Sequence, residues 1–315
     1  MIKVVKYTVN YKNIWNDFID KSKNQVFMFY RDYMEYHKDR YIDHSLLFFN
    51  EKNELVAVLP MTENSTELIS HGGLTYGGFI SDTSMKQHTM NECFQKLIEY
   101  ASDNGFNELY YKVIPHIFHK YPAEEDRYSL FINGAQLVRV ESATIVSLYR
   151  PLKMPKGRKA QISRAKREGV EVKELRTEEE FKTFIELENQ VLTKHHSTRA
   201  VHTGEELYLL HSRFPNNIRL YVALKENEII AGTVIFEYED VVHTQYLAAN
   251  DIARRIGALD LVIFTVMERY KDSKHWFDFG ISTENGGRIL NEGLISQKES
   301  FGGRTNTYEM WKISL

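Results

Sequence analysis

The sequence predicts an α/β (α+β) chain of two similar domains, each a mixed, mostly antiparallel sheet flanked by helices. Three observations carry this. A short polar turn joins two alternating apolar runs twice, at KNELVAV (52–58) and at ENEIIAG (226–232). Each of these hairpins is followed by strand, long helix and strand. At 315 residues the chain has about the length of two domains.

In the first half, helical segments over 11–38 precede the hairpin HSLLFFN and ELVAVLPM. A glycine-rich strand (GGLTYGGFI), a helix over 84–104 and a strand (NELYYKVI) come next. A strand over Gln136–Tyr149 closes this half. The join lies in RPLKMPKGRKAQISRAKREG (150–169), where two prolines and a glycine break the strand. A helix starts at about Arg158, and the domains are set at 1–150 and 151–315.

In the second half, helices over 178–196 and 203–213 precede IRLYVALK and EIIAGTVIFEY. Ile218, Leu220, Val222 and Leu224 share one face of a strand, because side chains alternate with period two. The strand VVHTQYLAA, a helix over 255–272 and the strand HWFDFGI complete the repeat. Leu259, Val262, Ile263, Val266, Met267 and Tyr270 recur at helical spacing. A strand–helix–strand crossover in each half predicts a parallel pair there.

Composition excludes several classes. Apolar residues make up 43% and charged residues 26%, ordinary for a globular protein, and a net charge of -3 argues against general polyanion binding. One cysteine, Cys93, allows neither an intramolecular disulfide nor a cysteine-based zinc site. It falls in a helical run and reads as a small buried residue. His116 and His119 lack a partner carboxylate motif, and His195–His196 point apart on a helix, so no metal is expected. The start of the sequence lacks a signal-peptide core, and no apolar run approaches the ~20 residues that span a bilayer. The reading is a cytoplasmic chain.

The loop after Ala249 reads ANDIARRIGALDLVIF. Asp251 is placed to cap the coming turn. Unpaired amides and the dipole at a helix start attract anions, glycine admits a phosphate and arginine offers a fork. Arg254, Arg255, Gly257 and Ala258 are therefore a candidate pyrophosphate cradle. The competing reading is a plain helix start with two solvated arginines. Arg254-x-x-Gly257 resembles the R/Q-x-x-G-x-G/A loop of the GNAT acyltransferases, with Leu259 standing where glycine or alanine is expected.

Asp278-Phe279-Gly280 is the magnesium-binding triplet of kinases, but no His-Arg-Asp and no upstream G-x-G-x-x-G accompany it. With Lys298-x-x-Phe301-Gly302 it resembles instead the end of Fem-type aminoacyl transferases and related GNAT-like proteins. Arg158 through Gly169, with Ile162 and Ala165, is similar to a linker of the same group. The tandem order extends the likeness over most of the chain; the sharp motifs lie between 157 and 308.

That resemblance implies two GNAT-like domains and transfer of an acyl group from acetyl-CoA or another acyl-CoA to an amine on a small molecule or peptide. The acceptor would lie in a cleft between the halves. Leu247 and Ala248 would offer a backbone donor to the carbonyl. His243, Tyr246 and Glu237 are the catalytic candidates; His243 is a possible base, and the alternative is a structural histidine. Gly73, Tyr76 and Gly77 are candidates for acceptor contact, against an irregular strand. Seven cations in 153–168 suit either tRNA or a solvated helix face. Two alternatives stay open: Fem-like aminoacyl transfer from charged tRNA to a cell-wall or peptide amine, and a non-catalytic binding protein on a degenerate fold.

Overall fold

The computed structural model describes residues 1–196 and 198–315, apart from the side chains of His195 and His196, so the reading of that pair lies outside the described residues. The chain forms two units. The first comprises Met1–Glu141, Thr283–Ile289 and Thr307–Leu315; the second comprises Ser142–Ser282 and Leu290–Asn306.

In the first unit, β1 (Lys3–Lys6) is followed by α1 (Lys12–Lys21) and the hairpin β2 (Leu46–Phe49) and β3 (Leu55–Leu59). Next come β4 (Glu67–Ile69), β5 (Ile80–Ser81), α2 (Gln87–Asp103) and β6 (Glu108–Lys112). Strands β1, β2, β3 and β5 form one antiparallel sheet in that order. The helix α2 buries Met90, Cys93, Phe94, Leu97 and Ala101, one stripe at three- and four-residue spacing. That stripe packs with Phe48, Phe79 and Tyr111 into the unit's core.

The parallel crossover expected here exists, but its first strand is β4, which pairs β6 as Leu68 with Leu109. The glycine-rich run is strand only at Ile80–Ser81. Its own groups explain the irregularity. His71 has a φ of 52° and Gly78 of 96°, and the buried amine of Lys112 donates to the carbonyl of His71 at 2.6 Å. Burial pushes that amine down to about 7.

Strand β7 (Gln136–Ser147) carries the chain into the second unit. There follow α3 (Lys156–Arg167), β8 (Glu171–Leu175), α4 (Glu178–His196) and α5 (Gly204–Arg213). The sheet strands are β9 (Ile218–Lys225), β10 (Glu228–Glu237) and β11 (Val241–Ala249). After them come α6 (Asp251–Ile256), α7 (Ala258–Tyr270), β12 (Trp276–Ile281) and α8 (Glu292–Glu299). The sheet order is β8–β9–β10–β11–β12–β7, antiparallel except for β11 and β12. Thr203 and Glu206 form a reciprocal capping box that starts α5. The final strand, β13 (Arg304–Ser314), pairs β6 through Met310 with Lys112 and Ile313 with Leu109.

The stretch after Ala249 is helical at once, rather than a loop before a single long helix. Asn250, not Asp251, is the cap: its side chain accepts from the Ala253 amide at 2.9 Å. Gly257, with a φ of 77°, breaks the helix and starts α7. The face predicted for α7 is buried apart from Leu259, which is half-buried, with Val262 and Val266 fully so. Helices α3 and α4 pack on either side of this region, α3 against α7 and α4 against β11.

Candidate functional site

The site is opened by two strands that separate. Strands β11 and β12 pair only over Val241–His243 and Trp276–Asp278. Beyond them β11 runs on to Ala249 against β10 alone, so its other edge has no ladder partner among the described residues. At the same level Val234 opposes Tyr246 and Ile235 opposes Thr244. Gln245 is therefore the extra residue of a bulge, a device that turns a strand away from its neighbour.

A cavity of about 790 Å³ lies beside the separated strands, lined by Leu247 and Ala249 from β11 and by Phe279 from β12. That volume suits a small ligand or the reactive end of a larger one. Val191 and Leu192 of α4 and Ile263 of α7 extend the apolar wall. Polar side chains line it too, and Arg158, Glu188, Arg254, Asp260 and Lys298 carry its charge.

Most of that charge is committed. Arg158 pairs with Asp260, donates to Ser300 Oγ at 2.8 Å and lies 4.5 Å over the Phe301 ring. Burial raises the Asp260 carboxyl, and the Arg158 guanidinium opposes that shift. Lys298 Nζ donates to the carbonyls of Gly280 at 3.0 Å and Ile281 at 2.5 Å, closing the end of β12. Burial pushes its amine down to about 8. Glu188 differs: its Oε2 has no hydrogen-bond partner among the described residues, and burial pushes its carboxyl up to about 7.

Residues 156–285 match the family model described as an acetyltransferase (GNAT) domain. Among solved structures, FemX superposes with a TM-score of 0.70 at 10% identity, over 99% of this chain and 97% of that one. A tandem GNAT protein from the clavulanic acid biosynthesis pathway gives a TM-score of 0.57 at 10% identity, covering 100% and 98%. The chain has the tandem GNAT fold. L-PGS from Bacillus licheniformis shares it at a TM-score of 0.61 and 15% identity, over 85% of this chain and 83% of its own. No curated protein matches the chain by sequence.

In the second GNAT unit the structure distributes the residues expected to form the site unevenly. Leu247, Arg254 and Gly257 line the cavity. Ala248 and Ala258 are fully buried, and Arg255 is exposed away from the lining. Gly257 serves helix packing: a Cβ there would lie 2.7 Å from the backbone oxygen of Gln161 in α3. Gly257 is thus packed against α3 on one side while it and Arg254 line the cavity.

The three catalytic candidates sit elsewhere. His243 is buried, with Nδ1 2.8 Å from Asp278 Oδ2. Glu237 accepts from Tyr270 at 2.8 Å and pairs with Arg219 and Lys274. The Tyr246 hydroxyl meets His202 Nδ1 at 2.7 Å, and burial pushes it up to about 12. None of the three is among the cavity-lining residues. Asp278 is fully buried, and its Oδ1 accepts from the Gly280 amide at 2.8 Å. We expect Asp278→Ala to lower stability by about 3 kcal/mol, since removing one partner strands buried donors. Urea unfolding checks this; a loss under about 1 kcal/mol would mean the pair is dispensable.

In the first unit, Gly73 abuts His37 and Tyr41, where a Cβ would come within 2.4 Å of His37 Nε2. Gly77 abuts the Ser70 carbonyl at the same 2.4 Å. Tyr76 is buried, 4.7 Å from the Phe118 ring. No group of three or more His, Cys, Asp or Glu that could hold a metal occurs among the described residues, and no helix there is long and apolar enough to cross a membrane.

Sequence reasoning passed over Glu188. The signal was available: it lies four residues after Phe184 and three before Val191, on the apolar face of α4.

Proposed function

We propose that the chain is an N-acyltransferase, moving an acyl group from a phosphate-bearing carrier, an acyl-CoA in the first instance, to an amino group. The separation of β11 from β12 beside a cavity of about 790 Å³ is the observation that supports this reading best. Unpaired backbone along the β11 edge near Leu247 supplies the N–H that polarises the donor carbonyl. Leu247, Ala249, Phe279 and Ile263 give the acyl group an apolar wall, beside which that polarisation is stronger than in bulk water. Arg254, at the start of the α6–α7 region, and the amides of that helix start are the groups nearest to hand for the carrier's phosphates. No step requires a metal.

A second reading replaces the acyl-CoA by an aminoacyl-RNA. The observation favouring it is that α3 covers Gly257, where a compact pyrophosphate would sit, while Lys156, Lys159, Arg164 and Arg255 stand exposed around that helix pair. Exposed cations suit an extended phosphate backbone.

Thermal denaturation with each donor tests both. Acetyl-CoA at about 100 times its Kd should stabilise the chain by roughly 2.7 kcal/mol. Arg254→Ala should weaken that binding about tenfold, or 1.4 kcal/mol. No shift at millimolar acetyl-CoA removes the first donor. RNA binding that falls steeply with salt and depends on Lys159 and Arg164 promotes the second.

A further inference from the structure

Helix α4 carries Glu178, Glu179 and Glu186 on its exposed side. Glu188 alone of the acids on this helix is turned to the apolar side, and it is only 6% exposed. Its neighbours there are Phe184, Val191 and Leu192, and it lines the cavity with the last two. An isolated carboxylate in such a wall is costly to ionise, so the position favours a group that arrives with a proton or a positive charge. The cavity's own charges do not supply one. Arg158 is held by Asp260, Lys298 caps the carbonyls of Gly280 and Ile281, and burial is what shifts the Glu188 carboxyl, with no cation contributing. From β11, the charge of Glu188 is felt by Tyr246, which is itself neutral when hydrogen-bonded to His202.

We propose that Glu188 receives the protonated amino group of the acceptor and takes one proton from it before attack. This rests on the transferase reading. The amine arrives as R–NH3⁺ and pairs with the carboxylate. One proton passes to Glu188, and the freed lone pair forms the C–N bond at the donor carbonyl. The C–S or C–O bond then breaks, and its electron pair leaves on sulfur or oxygen. That atom takes the second nitrogen proton, leaving an amide N–H. Glu188 returns its own proton to water, so each turnover yields one amide, one protonated carrier and one released proton. A carboxyl raised by burial suits the role, because it accepts a proton from an ammonium yet is substantially ionised at neutral pH.

The test separates proton removal from folding. Full-length protein and Glu188→Gln are assayed with two acceptors, ethylamine, which is protonated at neutral pH, and methoxyamine, which is not. Acetyl-CoA and an alanyl-RNA hairpin are the two donors. The expected result is a fall in kcat/KM of about 100-fold or more with ethylamine and of less than about threefold with methoxyamine. Equal losses with both amines overturn the proposal and leave Glu188 a structural residue; so does an unchanged rate. Loss confined to the alanyl donor, whichever amine is used, also overturns it, placing the carboxylate on the amino group of the acyl moiety instead. A wild-type chain that transfers from neither donor to either amine removes the transferase reading and the proposal together. Turnover by wild type with an indifferent Gln variant removes the proposal alone.

Discussion

Gly257→Ala is expected to destabilise the second unit by about 2–5 kcal/mol, far more than the same change at Gly169. Both glycines have left-handed backbone, with φ of 77° and 75°. A side chain in that region costs roughly 1–2 kcal/mol at either place. Their surroundings differ. At Gly169 a Cβ would meet nothing within 4 Å. At Gly257 it would lie 2.7 Å from the Gln161 oxygen and 2.9 Å from its carbonyl carbon. Those are backbone atoms of α3, so relief requires the helix to move, at a further cost of about 1–3 kcal/mol. Urea unfolding of the two variants isolates the contact, because the conformational part cancels. Equal losses would mean that α3 gives way freely. Because Arg158 is carried on α3, displacement should also loosen its pair with Asp260 at the cavity.

The same glycine shows what the sequence could and could not reveal. Its need for unusual backbone was legible, as was the crossover around it, because the apolar residues of α7 recur at helical spacing between two strand-like runs. What was not legible was the neighbour. A phosphate and a helix backbone make the same demand on a glycine, and only packing tells them apart. The first unit repeats the lesson at Gly73 and Gly77, where the close approach comes from His37 and from the Ser70 carbonyl. His243 does not line the cavity, for a related reason. Strand alternation fixes which face a side chain takes, but the bulge at Gln245 and the partner Asp278 decide what that face meets. Glu188 was readable in principle, as a carboxylate on an apolar stripe. Its burial, however, depends on α4 lying against β11, a long-range contact that local pattern does not encode.

Burial of that carboxylate has a consequence for stability that runs opposite to the usual acidic residue. Unfolded, Glu188 ionises near its ordinary value of 4.5; folded, burial holds it up to about 7. Between those values the unfolded chain has released the proton and the folded chain keeps it. Stability contributed at this position is therefore intact below pH 4.5, declines as pH rises, and is fully lost above about 7. The loss over that window is about 3 kcal/mol, at 1.36 kcal/mol for each unit. Glutamine is never ionised, so Glu188→Gln should match wild type at pH 4 and exceed it by about 3 kcal/mol at pH 8, less any cost of its unpaired amide. The charged groups around the cavity, Arg158, Arg254, Asp260 and Lys298, are common to both proteins and cancel in the difference. Thermal melts across pH 4–8 should show the two curves diverging through the middle of that range, by several degrees at the top. A constant offset at every pH would mean that Glu188 titrates as an ordinary surface acid. Such a result would also deprive it of the proton affinity that amine deprotonation demands. A diverging pair of curves, by contrast, would mark a residue that makes the fold less stable at neutral pH in the ligand's absence, as expected where a polar group is kept for a ligand rather than for folding.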